Sequence, residues 1–183
     1  MRLLILDRDG VINEESADFV KSPHEWQPIP GSLEAIARAS HAGCRIVVAS
    51  NQSGLARGLL DIDALNQIHQ RMLQELAAVG GTIDAFFFCP HGPDDNCDCR
   101  KPNTGLLEEI SRRLRVPLTD VPVVADRLSD VQAARGVGAR PILVLTGRGK
   151  QTLHDSGDTL TDIAVFPNLA AVVEHLLTTI WAA

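Results

Sequence analysis

The sequence predicts an α/β protein, a doubly wound and mostly parallel sheet with helices on both faces. Three observations carry that prediction. Unbroken apolar runs recur at Leu3–Leu6, Cys44–Ala49, Ile83–Phe88 and Val121–Ala125, and such runs suit strands covered on both sides. The stretches between them place apolar residues at helical spacing, as in Leu65, Ile68, Met72, Leu76 and Val79. The 183 residues, 45% hydrophobic and 22% charged, suffice for one such domain with a substantial core and are too few for two. Residues 1–183 are therefore read as a single domain.

Taken in order, Leu3–Leu6 ends in Asp7-Arg8-Asp9-Gly10. Two carboxylates two positions apart at a buried strand end repel, and each raises the other's pKa. A divalent cation between them would remove the repulsion, and Gly10 would let the chain turn sharply. Asp-x-Asp-Gly also occurs in plain turns and in calcium loops, but calcium loops follow helices. Asn13 to Pro30 is polar and irregular, a long loop expected at the rim of a site. Ser32 is the expected cap of a helix over 33–42 that Gly43 ends.

The strand Cys44–Ala49, with Cys44 in the core, runs into Ser50-Asn51-Gln52-Ser53-Gly54. That stretch offers several donors to an anion, or forms an ordinary polar turn. Asp61 or Asp63 caps the next helix, to about Val79. His69 lies in it as a surface or core residue. Gly80-Gly81 stop it, and Ile83–Phe88 follows as a third strand.

Cys89, His91, Cys97 and Cys99 then form Cys-x-His-x5-Cys-x-Cys. Four such ligands in one short loop can close a tetrahedral Zn²⁺ site, as a structural staple for a segment with too few apolar residues to pack itself. Arg100-Lys101-Pro102 follows at once, in isolation an unremarkable basic pair. Thr104 caps a helix over 105–116. Val121–Ala125 ends in Asp126, with Asp130 four residues on as a possible N-cap. A short helix over 131–135, a strand over 141–145, a glycine-rich turn at Thr146–Gly149, a polar exposed stretch over 151–162, a strand over 163–166 and a helix over 168–181 complete the chain.

Composition excludes several classes. The formal net charge is −6, from 23 acidic and 17 basic residues, and no basic run marks a nucleic-acid partner. No stretch approaches the length of a membrane span. The chain runs straight into a strand without a signal peptide, so the expected location is the cytoplasm and the expected state a monomer. Three of four cysteines fall between 89 and 99, which in a cytosolic protein reads as metal ligation before disulfides.

Four of these stretches, in order, resemble the motifs of the haloacid dehalogenase (HAD) superfamily of phosphohydrolases: Asp7-Arg-Asp9-Gly-Val, Ser50-Asn-Gln-Ser, Lys101, and Asp126 with Asp130. Many members carry glycine before the fourth-motif aspartate, where this chain has Ala125. The cysteine loop is similar to that of the D-glycero-D-manno-heptose-1,7-bisphosphate 7-phosphatases and the related histidinol-phosphate phosphatases. The Arg-Asp-Gly-Val-Ile-Asn and Ser-Asn-Gln-Ser stretches sit closer to the heptose enzymes. The intervals between motifs are filled by assigned elements, so no cap domain is expected.

The resemblance implies Mg²⁺-dependent hydrolysis of a phosphorylated sugar through an aspartyl-phosphate, in the supply of activated heptose for lipopolysaccharide. Asp7 is then the nucleophile and Asp9 the acid/base. Ser50 and Lys101 stabilise the transferring oxygens. Asp7, Asp9 and Asp126 hold Mg²⁺, with Asp130 in support. The substrate-binding set is Ser50, Asn51, Gln52, Ser53, Arg100, Lys101 and Arg127, with Glu15, Ser16, Ala17 and Asp18 on the sugar hydroxyls. A phospho-receiver and a zinc-stapled binding module without turnover are rivals of another class.

Overall fold

A computed structural model describes residues 2–182. Six strands form one sheet: β1 (Arg2–Leu6), β2 (Cys44–Asn51), β3 (Ala85–Cys89), β4 (Pro122–Ala125), β5 (Arg140–Val144) and β6 (Ala164–Phe166). Their order is β3-β2-β1-β4-β5-β6. Every pairing is parallel. Seven α-helices connect them: α1 (Ser32–His41), α2 (Ser53–Ala56), α3 (Ile62–Ala78), α4 (Gly105–Leu114), α5 (Leu128–Gly136), α6 (Gly149–Ser156) and α7 (Leu169–His175). A π-helical turn over Leu176–Ile180 extends the last of them.

The unbroken apolar runs have the predicted cause. Alternate residues of β1 serve opposite faces. Leu4 and Leu6 join one core with Ile36, Ile68, Met72, Leu76 and Val172. Leu3 and Ile5 join the other with Leu107, Ile110 and Ala133. Asp61 caps α3, its carboxylate accepting from the Ala64 N–H at 2.8 Å. Cys44 lies in the core, where burial pushes its thiol up to about 12.

Several local expectations change. The residue preceding α1 is Gly31, in the left-handed region, and Ser32 Oγ donates instead to the Ile12 carbonyl at 2.6 Å. Thr104 makes no capping bond to backbone; its hydroxyl donates to Glu108 at 2.6 Å. Asp130 is not a cap. It lies inside the first turn of α5, which starts after Arg127. Part of the supposedly polar stretch 151–162 is helix α6, and Leu160 beyond it is buried. The loop 13–30 is irregular, but Val20, Trp26 and Ile29 anchor it in the core.

Chain order reverses around β1: β2 and β3 lie on one side, β4 to β6 on the other. A doubly wound sheet opens a crevice at the carboxyl ends of its strands at such a switch point.

Candidate active site

Leu6 is in register with Val48 on one side and Val124 on the other. One residue further, Asp7 comes level with Ala49 and Ala125, and Ser50 and Asp126 follow by one more step. Sheet register alone therefore gathers three of the four motifs at the crevice. The remaining motif, Lys101, arrives on the loop after β3. Asn51 grips the Lys101 backbone in both directions, its Nδ2 donating to the carbonyl at 3.0 Å and its Oδ1 accepting from the N–H at 3.1 Å.

Lys101 is 4% exposed. It donates to Asp7 Oδ1 at 3.2 Å, to the Ala49 carbonyl at 2.7 Å and to Asp130 Oδ1. Burial alone would lower its pKa. Asp130 and Asp7 outweigh that and hold it above the ordinary lysine value. Asp7 is pushed well above the usual carboxylate range, first by burial. Asp130, Asp126 and Asp9 add to the rise, and Lys101 opposes it. Asp7 Oδ1 also accepts from the Arg8 N–H at 2.9 Å. Among the described residues, no hydrogen bond engages Oδ2, and Asp7 lines the cleft.

Asp9 has the opposite environment. Burial raises its pKa, but the Arg8 guanidinium and bonds from Asn13 (2.9 Å) and Gln52 (3.1 Å) prevail and hold the carboxyl below its ordinary value. Arg8 reaches both Asp9 oxygens at 2.9–3.2 Å while itself only 1% exposed.

Burial pushes Asp126 up to about 7, with Asp130 raising it further and the Arg148 N–H opposing. Its Oδ2 accepts from that N–H at 2.8 Å. Its Oδ1 is buried with no partner. An orphaned buried oxygen is costly. Asp126, Asp130 and Asp9 all act on Asp7 electrostatically, and oxygen donors of this kind suit a hard cation such as Mg²⁺. Gly10 makes this crowding possible: it has φ +81°, and a Cβ there would fall 2.1 Å from Asp126 Oδ2.

The loop before Lys101 brings four other donors together. Cys89 Sγ, Cys97 Sγ, Cys99 Sγ and His91 Nδ1 all lie within 4.8 Å of one another. Neighbouring pairs are separated by 3.0–3.7 Å. Tetrahedral zinc with sulfur ligands sets such edges at about 3.8 Å, so the four fit that ion.

Asp7, Asp9, Asn51, Gln52 and Ser53 line a cleft of about 610 Å³. So do Glu15, Ser16, Ala17, Arg100, Lys101 and Arg127. Ser50 lies beneath them, 1% exposed, its Oγ accepting from Gln52 Nε2 at 3.2 Å. Within the sugar-hydroxyl group, Asp18 does not line the cleft: the chain turns at Phe19 (φ 65°), and Phe19 reaches the cleft in its place. Glu15 lines it, with its carboxylate paired with Arg127 and Arg148.

Sequence reasoning also missed Arg8, Asn13, Arg57 and Arg148. Arg57 lines the cleft with its guanidinium 5.6 Å from the Phe19 ring centre. The usable signal was an arginine placed between two aspartates, and one within the glycine-rich Thr146–Gly149 turn.

The HAD-hydrolase-like family model matches residues 98–172, and the polynucleotide kinase 3 phosphatase model matches residues 3–128. The D-glycero-beta-D-manno-heptose-1,7-bisphosphate 7-phosphatase of Bordetella bronchiseptica is 54% identical over 97% of this chain and 98% of its own. The protein of the same description from Pseudomonas aeruginosa is 49% identical over 96% of this chain and 97% of its own. A crystal structure of the B. bronchiseptica D,D-heptose 1,7-bisphosphate phosphatase, complexed with magnesium and phosphate, superposes with a TM-score of 0.94. It is 53% identical and covers 97% of this chain and 99% of that one. With such identity over nearly the whole of both chains, and with the HAD motifs gathered at one crevice, this chain is a phosphatase and belongs to the D-glycero-D-manno-heptose-1,7-bisphosphate 7-phosphatase family of HAD-like hydrolases.

Proposed function

We propose that this chain removes the 7-phosphate of D-glycero-D-manno-heptose 1,7-bisphosphate through an aspartyl-phosphate on Asp7. Residues 1–183 act as one domain, monomeric and cytoplasmic, on a small phosphorylated sugar. The observation that carries the reading is the asymmetry of Asp7: Oδ1 is held by Lys101 and the Arg8 N–H, and Oδ2 has no bond at the cleft. A nucleophile needs that combination of fixed orientation and a free lone pair.

Asp7 Oδ2 attacks phosphorus in line, and the bond from phosphorus to the sugar oxygen breaks as the new one forms. Asp9 gives the departing oxygen a proton. It then takes one from the water that cleaves the acyl-phosphate and frees Asp7. Asp9 starts ionised here, the form that acts on water. An anionic substrate raises its pKa towards the acid form. The Lys101 ammonium and the Ser50 hydroxyl meet the charge that builds on the transferring oxygens. Mg²⁺ held by Asp7, the Asp9 carbonyl and Asp126, with Asp130 in support, would draw carboxylate and phosphate together. Zn²⁺ held by Cys89, His91, Cys97 and Cys99 would be structural and would steady the loop that carries Lys101.

A bisphosphate suits the rim. Arg57, Arg100, Arg127 and Arg148 all line the cleft, and guanidinium binds phosphate bidentately. Arg100 is tied to the stapled loop by a bond to the His91 carbonyl at 3.2 Å. Initial rates on heptose bisphosphates, histidinol phosphate and simple sugar phosphates test the substrate. The heptose 1,7-bisphosphate should lead, and a preference for histidinol phosphate would overturn the assignment. Arg100→Ala should lower kcat/KM on the bisphosphate roughly tenfold or more and spare a monophosphate of the same sugar. Equal losses on both would remove Arg100 from recognition.

A further inference from the structure

We infer that Glu15 is a positioning residue for Asp126, acting through Arg148. The inference rests on reading Asp126 as a Mg²⁺ ligand.

Glu15 follows β1 and Arg148 follows β5, 133 positions apart in the chain. Arg148 Nε donates to both Glu15 oxygens, at 2.9 and 3.1 Å, and Arg127 donates to Oε1 as well. The Glu15 side chain is 18% exposed and that of Arg148 50%, so the pairing is held mainly from the Glu15 side. The N–H of the same Arg148 donates to Asp126 Oδ2 at 2.8 Å. A continuous line therefore runs from the Glu15 carboxylate through Arg148 to Asp126 Oδ2. It fixes which oxygen the backbone takes and leaves Oδ1 as the partnerless one.

The neighbouring contacts allow Asp126 little else. Thr152 Oγ1 donates to its carbonyl at 2.8 Å. Thr146 Oγ1 ties the Arg148 loop to the Gly10 carbonyl at 2.7 Å. A Cβ on Gly147 would fall 2.3 Å from Asp126 Oδ2 and 2.5 Å from Gly10 Cα. The Arg148 amide can leave Asp126 only if this loop lifts, and Glu15 holds it from across the cleft mouth, in addition to the Thr146 and Thr152 hydroxyls. Losing a group that orients a metal ligand from behind typically costs about 10–100-fold in metal affinity or activity.

A bare charge effect predicts something different, and that difference makes the test. Glu15 contributes a negative charge near the cation site and Arg148 a positive one. If only charge mattered, Glu15→Gln would weaken Mg²⁺ binding and Arg148→Ala would strengthen it. Positioning predicts that both weaken it, because each cuts the same link.

The experiment measures Mg²⁺ affinity of the full chain, without substrate, from the rise in thermal midpoint with MgCl₂ at constant ionic strength. Glu15→Gln is close to isosteric, and the melt itself reports folding. The expected result is about tenfold weaker Mg²⁺ binding in Glu15→Gln and in Arg148→Ala, with the double variant no worse than either single one. Unchanged affinity in Glu15→Gln, or tighter binding in Arg148→Ala, would overturn the inference. Asp126→Asn separates the two levels. It should abolish the Mg²⁺ response, and a wild-type response there would defeat the metal reading itself.

Discussion

The carboxylates at the carboxyl ends of the central strands come from positions 7, 9, 126 and 130, and the fold has to gather them. The sulfur and nitrogen donors come from positions 89 to 99, and a single loop gathers them. The first cluster is mostly buried: Asp7, Asp126 and Asp130 are 8% exposed or less, and only Asp9 is half-buried. Lys101, Asn51, Arg8 and Arg148 hold it in place. The second sits at the rim, with His91 exposed and Cys97 and Cys99 half-buried, and between Pro90 and Asp98 no residue is buried. Strand register and hydrogen bonds fix the oxygen cluster before any cation arrives. The sulfur cluster is anchored at Cys89 in β3 and by a few bonds such as Asn103 Nδ2 to the Cys97 carbonyl at 2.8 Å, and a cation would supply the rest of its order. The two meet at Lys101, two residues beyond Cys99, so the loosely built cluster delivers a group to the rigid one.

The sharpest way to break that pairing is at the rigid end. Asp7→Asn should lower kcat roughly ten-thousandfold or more and leave the melting temperature at or above wild type, since it removes one of several crowded like charges. Rates are to be read after mass analysis excludes deamidation. A folded variant with wild-type turnover would take Asp7 out of the chemistry.

The flexible end should fail differently. The protein should hold about one zinc per chain through dialysis. Cys97→Ser should lose it, lower the melting temperature and cost on the order of tenfold in kcat/KM, by letting Lys101 drift from Asp7 rather than by touching substrate. A zinc-free protein with full stability and activity would show that the loop needs no staple.

A smaller effect separates the framework from both clusters. His69 on α3 is buried and stacked on Phe86, with ring centres 4.3 Å apart. Burial, helped by Arg8 and opposed by Asp9, lowers its pKa from 6.5 to about 4. The unfolded chain therefore binds this proton first as pH falls. The stability it supports is full above pH 6.5 and is lost as pH drops towards 4. That loss amounts to about 3 kcal/mol. His69→Phe keeps the stacking and removes the proton site, so unfolding free energy between pH 7 and 4.5 should fall less steeply than in wild type. Parallel slopes would contradict the buried neutral imidazole.

What the sequence made legible follows from the same physics. Strands β1, β2 and β4 could be read because burial on both faces demands unbroken apolar runs, and the motif residues because they follow those runs directly. Helix α6 could not, since Gly149–Ser156 offers one large apolar side chain, Leu153, and no period. Asp130 could be taken for a cap because nothing local shows that Lys101, 29 positions away, pairs with it. The Glu15–Arg148 contact spans 133 positions, and nothing local to either residue shows it. Local chemistry was readable; cross-chain pairing of charges had to wait for the fold.

The central claim is that Asp7 carries the phosphoryl group and Asp9 releases it. Asp9→Asn, quenched in acid after mixing with the heptose bisphosphate, tests this by peptide mass analysis. The account predicts one added phosphoryl group on the peptide that contains Asp7, accumulating because the step that needs a base is stalled. An unmodified Asp7 peptide alongside measurable turnover, or a phosphoryl group on any other residue, would contradict it.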